Sequence, residues 1–171
     1  MTQVFVDLDG VLADFDTGYE RIAGSKPDKR ADNVDWQKIV AVPGFYADLP
    51  LMPDAKRLWD FLSLYLEKKP IILTGVPRSV PEAGTDKRVM VTRNFGADTT
   101  MLWCPSAEKC KYAKQGDILI DDWTKYQHLW LAAGGRWITH TSAESSIRQL
   151  LKMDQDVNAR AIAAALMASV S

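Results

Sequence analysis

Two carboxylates and a glycine follow the first apolar segment of the chain. The segment 4–6 reads Val-Phe-Val, and Asp7, Asp9 and Gly10 come after it. Apolar residues in a row suit a strand that is covered on both faces, and a glycine lets the chain leave the sheet where the strand ends. Carboxylates crowded at a strand end repel each other unless a cation or a shared proton relieves the repulsion. The arrangement therefore indicates a functional site.

An Asp-Gly pair is also a common signal for the turn of a β-hairpin. A hairpin would require an alternating strand after Gly10, but residues 11–15 continue into a helical spacing of apolar residues. We therefore favour a buried strand that ends at a chemical site over a hairpin.

Two later apolar segments also end in polar residues. Thr74 and Gly75 follow one of them, and Asp121 and Asp122 follow the other. In all, five apolar segments alternate with helical patterns, which is typical of a parallel sheet covered by helices on both faces. Ligands bind beyond the carboxyl ends of the strands in such sheets. We expect an α/β fold, a three-layer Rossmann-like parallel sheet, with these residues together at one edge.

Length and composition restrict the class of protein. The chain of 171 residues is 47% hydrophobic, which suits one well-buried domain over 1–171, and helical patterns between the first two strands predict a small helical insertion over 15–52. The 21 basic and 22 acidic residues give a net charge of -1, so we expect neither a nucleic acid polymer nor a membrane as partner. Two cysteines without metal or redox spacing suggest reduced thiols in a cytoplasmic protein.

Carboxylates from two strand ends form the hard oxygen site that Mg²⁺ prefers, and this ion keeps coordination positions for water and phosphate. The Thr74 hydroxyl, backbone N–H groups at Gly75 and a lysine would complete a cradle for phosphoryl oxygens. Asp7 is suited to be the nucleophile that forms an aspartyl-phosphate. Asp9 is suited to protonate the leaving oxygen and later to activate water. We therefore expect Mg²⁺ as the cofactor.

This set of residues resembles the four motifs of the haloacid dehalogenase-like (HAD) phosphatase superfamily, and within it the 5'(3')-deoxyribonucleotidase family. The resemblance covers roughly residues 3–125. The matching positions are Asp7-Leu8-Asp9-Gly10-Val11-Leu12-Ala13-Asp14, Thr74, Lys111 and Asp121-Asp122. The family match rests further on Phe15, on Gly44-Phe45-Tyr46 and on Leu49-Pro50-Leu51-Met52-Pro53.

The resemblance implies metal ligands. Asp7 would bind the ion with its side chain, Asp9 with its backbone carbonyl, and Asp122 would be the third protein ligand. Asp121 would orient the site and belongs to the same group of carboxylates.

The resemblance also implies the catalytic lysine. In the family this lysine lies ten positions before the first aspartate of the last motif, which here selects Lys111 in preference to Lys109 and Lys114. A single lysine in this segment could equally lie on a solvated helix face.

In this superfamily an insertion after the first strand forms a helical cap that selects the substrate, and in the nucleotidases aromatic residues of the cap enclose the base. Phe15 matches one such position. Trp36, Phe45 and Tyr46 are the candidates for the others, although aromatic residues in a small helical bundle more often belong to the core. The insertion is shorter here than in the best-known nucleotidases.

We therefore expect a Mg²⁺-dependent phosphomonoesterase that acts on nucleoside or deoxyribonucleoside monophosphates. Two alternatives remain: the same chemistry on another small phosphorylated metabolite, such as a sugar phosphate, or a phosphate-binding domain without turnover. The sequence leaves the oligomeric state open.

Overall fold

A five-stranded parallel sheet forms the centre of the molecule. The computed structural model describes residues 2–27 and 34–168, with side chains as far as residue 155. The strands are β1 (Val4–Val6), β2 (Ile71–Gly75), β3 (Met101–Cys104), β4 (Ile118–Asp121) and β5 (Arg136–Thr139). Their order in the sheet is β3-β2-β1-β4-β5, and every neighbouring pair is parallel. The predicted α/β fold with a parallel sheet is confirmed.

Helices connect the strands. They are α1 (Phe15–Ala23), α2 (Trp36–Val40), α3 (Ala55–Tyr65), α4 (Ala83–Phe95), α5 (Gln127–Ala132) and α6 (Ala143–Ala168). Two 3₁₀ helices span Ser106–Tyr112 and Thr124–Tyr126. Within the described part of the chain, no helix combines the length and apolarity that crossing a membrane requires.

Alternate residues of each strand pack on opposite faces of the sheet, as the pleat requires. Val4 and Val6 belong to the larger core, which α3 and α4 help to cover. Phe5 lies in the smaller core on the other face, where its ring meets Trp130 of α5 edge-on at 5.6 Å between centroids. Both faces are therefore buried, which explains why the strands read as continuous apolar runs.

The strand order creates a crevice beside β1. From β1 the chain moves outward through β2 and β3, and it then returns to the other side of β1 to form β4 and β5. Parallel sheets of this kind bind ligands where the winding direction reverses, beyond the carboxyl ends of the strands. Here that point lies between β1 and β4, and the N–H of Asp7 donates to the Ile120 carbonyl across it at 2.9 Å.

The segment that carries α1 and α2 leaves and re-enters the sheet domain at one place. Ala13 and Leu51 form an isolated antiparallel bridge. On either side of it the N–H of Asp14 donates to the Pro50 carbonyl at 2.8 Å, and the N–H of Met52 donates to the Leu12 carbonyl at 2.9 Å. The helices between these crossing points therefore form an excursion with a narrow base.

Helix α3 offers a matched pair of leucines for testing the core. Leu62 is fully buried and Leu64 is 81% exposed. We predict that Leu62→Ala lowers the free energy of unfolding by about 2–5 kcal/mol because it leaves a cavity. Leu64→Ala should change it by less than about 0.5 kcal/mol. Urea denaturation of both variants measures the difference, and equal losses would contradict the assigned packing of α3.

Candidate functional site

The carboxyl ends of β1 and β4 bring Asp7 and Asp121 together around a buried lysine. Nζ of Lys109 lies 2.9 Å from Oδ1 of Asp7 and 2.7 Å from Oδ2 of Asp121. All three side chains are less than a tenth exposed. The other oxygen of Asp121 accepts a hydrogen bond from the Trp123 N–H at 2.8 Å. The ammonium thus holds two carboxylates that would otherwise repel each other.

Burial and charge act in opposition in this cluster. Burial by itself would lower the pKa of Lys109, but the carboxylates of Asp7 and Asp121 raise it above its ordinary value. Burial, followed by the charge of Asp7, raises the pKa of Asp121 to about 7, although Lys109 lowers it in part. Burial and the neighbouring Asp7 thus disfavour the charged form of Asp121 despite Lys109, and a further cation beside these groups would favour it.

The same edge of the sheet can hold a metal ion. Carboxylate oxygens of Asp7, Asp121 and Asp122 lie within 4.8 Å of one another. Oδ1 of Asp7 is buried and accepts no well-formed hydrogen bond, despite its proximity to Lys109. Hard oxygen donors in this number suit Mg²⁺. The side chains therefore fit the predicted cofactor.

Gly10 lets the loop after β1 pass close to Asp122. Its φ of 80° lies in the left-handed region, and a Cβ at this position would collide with the Asp122 carboxylate. The Leu8 carbonyl accepts from the N–H groups of Leu12 and Ala13, both at 2.8 Å, so the loop forms a tight turn. The turn directs the Asp9 side chain away from the three grouped carboxylates.

Asp9 is bound to a second buried lysine. Nζ of Lys87, from α4, donates to Oδ2 of Asp9 at 2.6 Å, to Oγ1 of Thr74 at 3.0 Å and to the Gly75 carbonyl at 2.6 Å. The Lys87 side chain is 1% exposed. Burial, together with the charge of Asp7, raises the pKa of Asp9, although the ammonium of Lys87 lowers it in part. Lys109 thus contacts Asp7 and Asp121, whereas Lys87 contacts Asp9.

The structure does not bring Lys111, the predicted site lysine, to the carboxylates. Lys111 is 68% exposed, and its Nζ pairs with Glu108 at 2.7 Å, so it lies on the solvated face of the 3₁₀ helix. Lys109 occupies the predicted place instead. Counting ten positions back from Asp121 does not give the lysine at the carboxylates. The segment before β4 contains a 3₁₀ helix and an extended residue, Ala113, and this conformation determines which lysine faces the carboxylates.

The Thr74 hydroxyl, which was predicted to bind phosphoryl oxygens, contacts Lys87 in the structure. The Thr74 side chain is fully buried, its hydroxyl receives the Lys87 hydrogen bond, and it is not among the described residues that line the cavity at the site. Gly75 does line that cavity, as predicted for a phosphate-binding position, and a Cβ on Gly75 would collide with Ser106. The loop after β2 and the 3₁₀ helix can therefore approach each other closely.

A cavity of about 670 Å³ opens over the carboxylates. The insertion contributes Phe15, Trp36 and Tyr46 to its wall. Phe45 is 6% exposed and packs edge-on against Tyr46 at 5.0 Å between centroids, and it is not among the described lining residues. The prediction that Phe45 faces the substrate therefore disagrees with its position in the core.

Trp123 and Tyr126 were not identified as site residues from the sequence. Both line the cavity, their rings meet edge-on at 5.5 Å, and Nζ of Lys125 lies 5.1 Å from the Trp123 ring centre. Their positions within four residues of the Asp121-Asp122 pair could have indicated that they lie near the site.

Lys87 was also missed, although it carried a signal. It falls in the stripe of α4 that buries Ala83, Met90 and Val91. A lysine in an apolar stripe requires a partner for its charge.

No family model matches the sequence, and no curated protein matches it. The chain is similar to a solved structure titled HAD hydrolase, family IA, variant 3, from Entamoeba histolytica. The sequence identity is 15%, the alignment covers 89% of each chain, and the TM-score is 0.43.

The carboxylate cluster predicts metal binding. We expect Asp122→Asn to lower the affinity for Mg²⁺ by at least about tenfold, since even the loss of groups around metal ligands has that effect. Isothermal titration calorimetry with MgCl₂ measures it. Asp98→Asn is the control, because Asp98 is exposed and pairs only across the surface with Lys69 at 2.6 Å. Equal affinities in the two variants would contradict the site.

Proposed function

We propose that this protein is a Mg²⁺-dependent phosphomonoesterase that works through an aspartyl-phosphate on Asp7. The observation that carries the proposal is the buried Asp7 carboxylate at the switch point of the sheet, beside Lys109 and the Asp121-Asp122 pair. A nucleophile that attacks a phosphate anion needs positive charge around both groups. Lys109 supplies part of that charge.

In the first step an oxygen of Asp7 attacks the phosphorus atom of the substrate. A new bond forms between this oxygen and phosphorus, and the bond from phosphorus to the leaving oxygen breaks. The leaving oxygen takes a proton from the Asp9 carboxyl group. The raised pKa of Asp9 supports this role, because a general acid must carry its proton before the step.

In the second step Asp9, now a carboxylate, accepts a proton from water. The resulting hydroxide attacks phosphorus, the bond from phosphorus to Asp7 breaks, and inorganic phosphate is released with the Asp7 carboxylate restored. Splitting the hydrolysis in this way replaces one difficult displacement by two easier ones.

Asp7, Asp121 and Asp122 would hold the Mg²⁺ ion, with the backbone carbonyl of Asp9 as a further ligand. When bound, the ion supplies charge neutralisation for the phosphoryl oxygens. Lys109, which contacts both Asp7 and Asp121, would keep the nucleophile in place. Gly75 and the adjoining loop line the cavity where phosphoryl oxygens would lie.

A nucleoside monophosphate is the substrate class that the cavity supports best. Its volume of about 670 Å³ falls within the usual range for small-molecule sites and far exceeds the space that a phosphate group needs. Aromatic side chains line it, namely Phe15 and Trp36 from the insertion and Trp123 and Tyr126 from the segment after β4. Flat rings bind well against such side chains. A sugar phosphate, the second candidate, has no flat ring to match them.

A phosphate-binding domain without turnover is the remaining alternative. Such a domain would have no use for a second carboxyl group beside the nucleophile. Asp9 is 27% exposed, is paired with Lys87, and has one buried oxygen without a hydrogen bond. This arrangement favours proton transfer over simple anion binding.

A phosphate-release assay tests the proposal. We predict release from nucleoside monophosphates with Mg²⁺, and loss of release with EDTA. Asp7→Asn should abolish turnover, because an amide cannot form the acyl-phosphate, while circular dichroism shows an unchanged fold. Phosphate binding without release from any nucleotide or sugar phosphate would favour the binding domain, and an active Asp7→Asn variant would refute the nucleophile.

The two neighbouring lysines form a second test. We predict that Lys109→Met lowers kcat on the order of a hundredfold, since charges at a developing transition state have effects of this size. Lys111→Met should retain near-normal turnover because its ammonium lies on the surface. Steady-state kinetics on the best substrate compares them. A loss confined to Lys111→Met would restore the spacing argument and remove Lys109 from the site.

A further inference from the structure

Lys87 has no role in the reaction as described so far, yet its environment is highly specific. Its side chain is buried to 99% by the sheet domain, and Nζ lies 4.7 Å from the centre of the Tyr46 ring. The three hydrogen bonds to Asp9, Thr74 and Gly75 use all three donors of an ammonium group. A buried charge is retained only with partners as complete as these.

Two of the three acceptors belong to β2. Thr74 and Gly75 end that strand, which pairs with β1 on one side and β3 on the other. The sheet therefore fixes the position of Nζ independently of Asp9. Asp9, in contrast, lies in the loop after β1, and Lys87 is the lysine that donates a hydrogen bond to it.

The two oxygens of Asp9 have different surroundings. Oδ2 receives the 2.6 Å hydrogen bond from Lys87, whereas Oδ1 is buried and has no hydrogen-bond partner. Asp9 lines the cavity together with Asp7. A carboxyl group held by one oxygen presents the other in a defined direction.

We propose that Lys87 is a positioning residue: by binding Oδ2 of Asp9 it directs Oδ1 toward the leaving oxygen in the first step and toward water in the second. The proposal rests on the proposed function and extends it to a residue outside the four motifs. Lys87 acts through Asp9 and needs no contact with the substrate.

Leaving groups of different basicity give the first readout. Lys87→Met keeps the length of the side chain and removes the charge. We expect its kcat on phenyl phosphate to fall about 10- to 100-fold, the size of effect that misplacing a reacting group produces. The loss on p-nitrophenyl phosphate should be much smaller, because p-nitrophenolate leaves without a proton. An equal loss on both esters would overturn the proposal, since a merely structural role would produce it.

A double-mutant cycle gives the second readout. If Lys87 acts only through Asp9, adding Lys87→Met to Asp9→Asn should cause no further loss on phenyl phosphate. Additive losses would overturn the proposal. Arg88→Met is the matched control on α4, because Arg88 binds the carbonyls of Thr99 and Met101 at 2.9 and 2.8 Å and stabilises that region alone. It should change both esters equally.

A crystal structure of Lys87→Met decides the matter without reference to turnover. We expect the Asp9 carboxylate to rotate away from the end of β2, and an unmoved carboxylate would overturn the proposal. Should Lys87→Met fail to fold, Thr74→Val removes one anchor of the ammonium and should show the same preference for p-nitrophenyl phosphate on a smaller scale. An inactive wild-type protein would refute the proposed function, whereas the crystallographic outcome would still test Lys87.

Discussion

The structure depends on how it accommodates negative charge at the ends of two buried strands. Asp7 directly follows β1 and Asp121 ends the neighbouring strand β4, with Asp122 beside them, and the Asp7 and Asp121 side chains are buried. Carboxylates this close would drive the strand ends apart without compensation. Lys109 supplies part of this compensation within the protein. A cation bound by the three carboxylates would supply more of it.

Much of the fold could be predicted from the sequence because each strand is buried on both faces. A run such as Ile118-Leu119-Ile120 is apolar whichever way it pleats, and the aspartates at its end stand out against it. The same logic located Asp7, Asp9 and Gly75, since parallel strands place their carboxyl ends at one edge. These positions can be predicted because a buried strand and the polar residues that follow it are recognisable within a few consecutive residues.

The side chains on the connections were harder to predict because their positions depend on helix type and loop length. Lys109 and Lys111 are chemically identical and two residues apart, and only the 3₁₀ geometry of their segment decides which one reaches Asp7. Phe45 and Tyr46 are adjacent aromatic residues, yet Tyr46 lines the cavity and Phe45 packs in the core. A sequence motif indicates which type of residue the chemistry needs. Which of several residues of that type faces the site depends on the conformation of the connecting segment.

The aromatic residues of the insertion connect the cavity wall to the proton-transfer group. Phe15 lines the cavity and stacks on Tyr46 at 6.1 Å between centroids, and the Tyr46 ring lies 4.7 Å from the Lys87 ammonium that binds Asp9. A cation over an aromatic ring is attracted to its face, more strongly where water is excluded. The insertion therefore contacts the sheet domain at its narrow base and again through Tyr46, beside the carboxyl group that would move the proton.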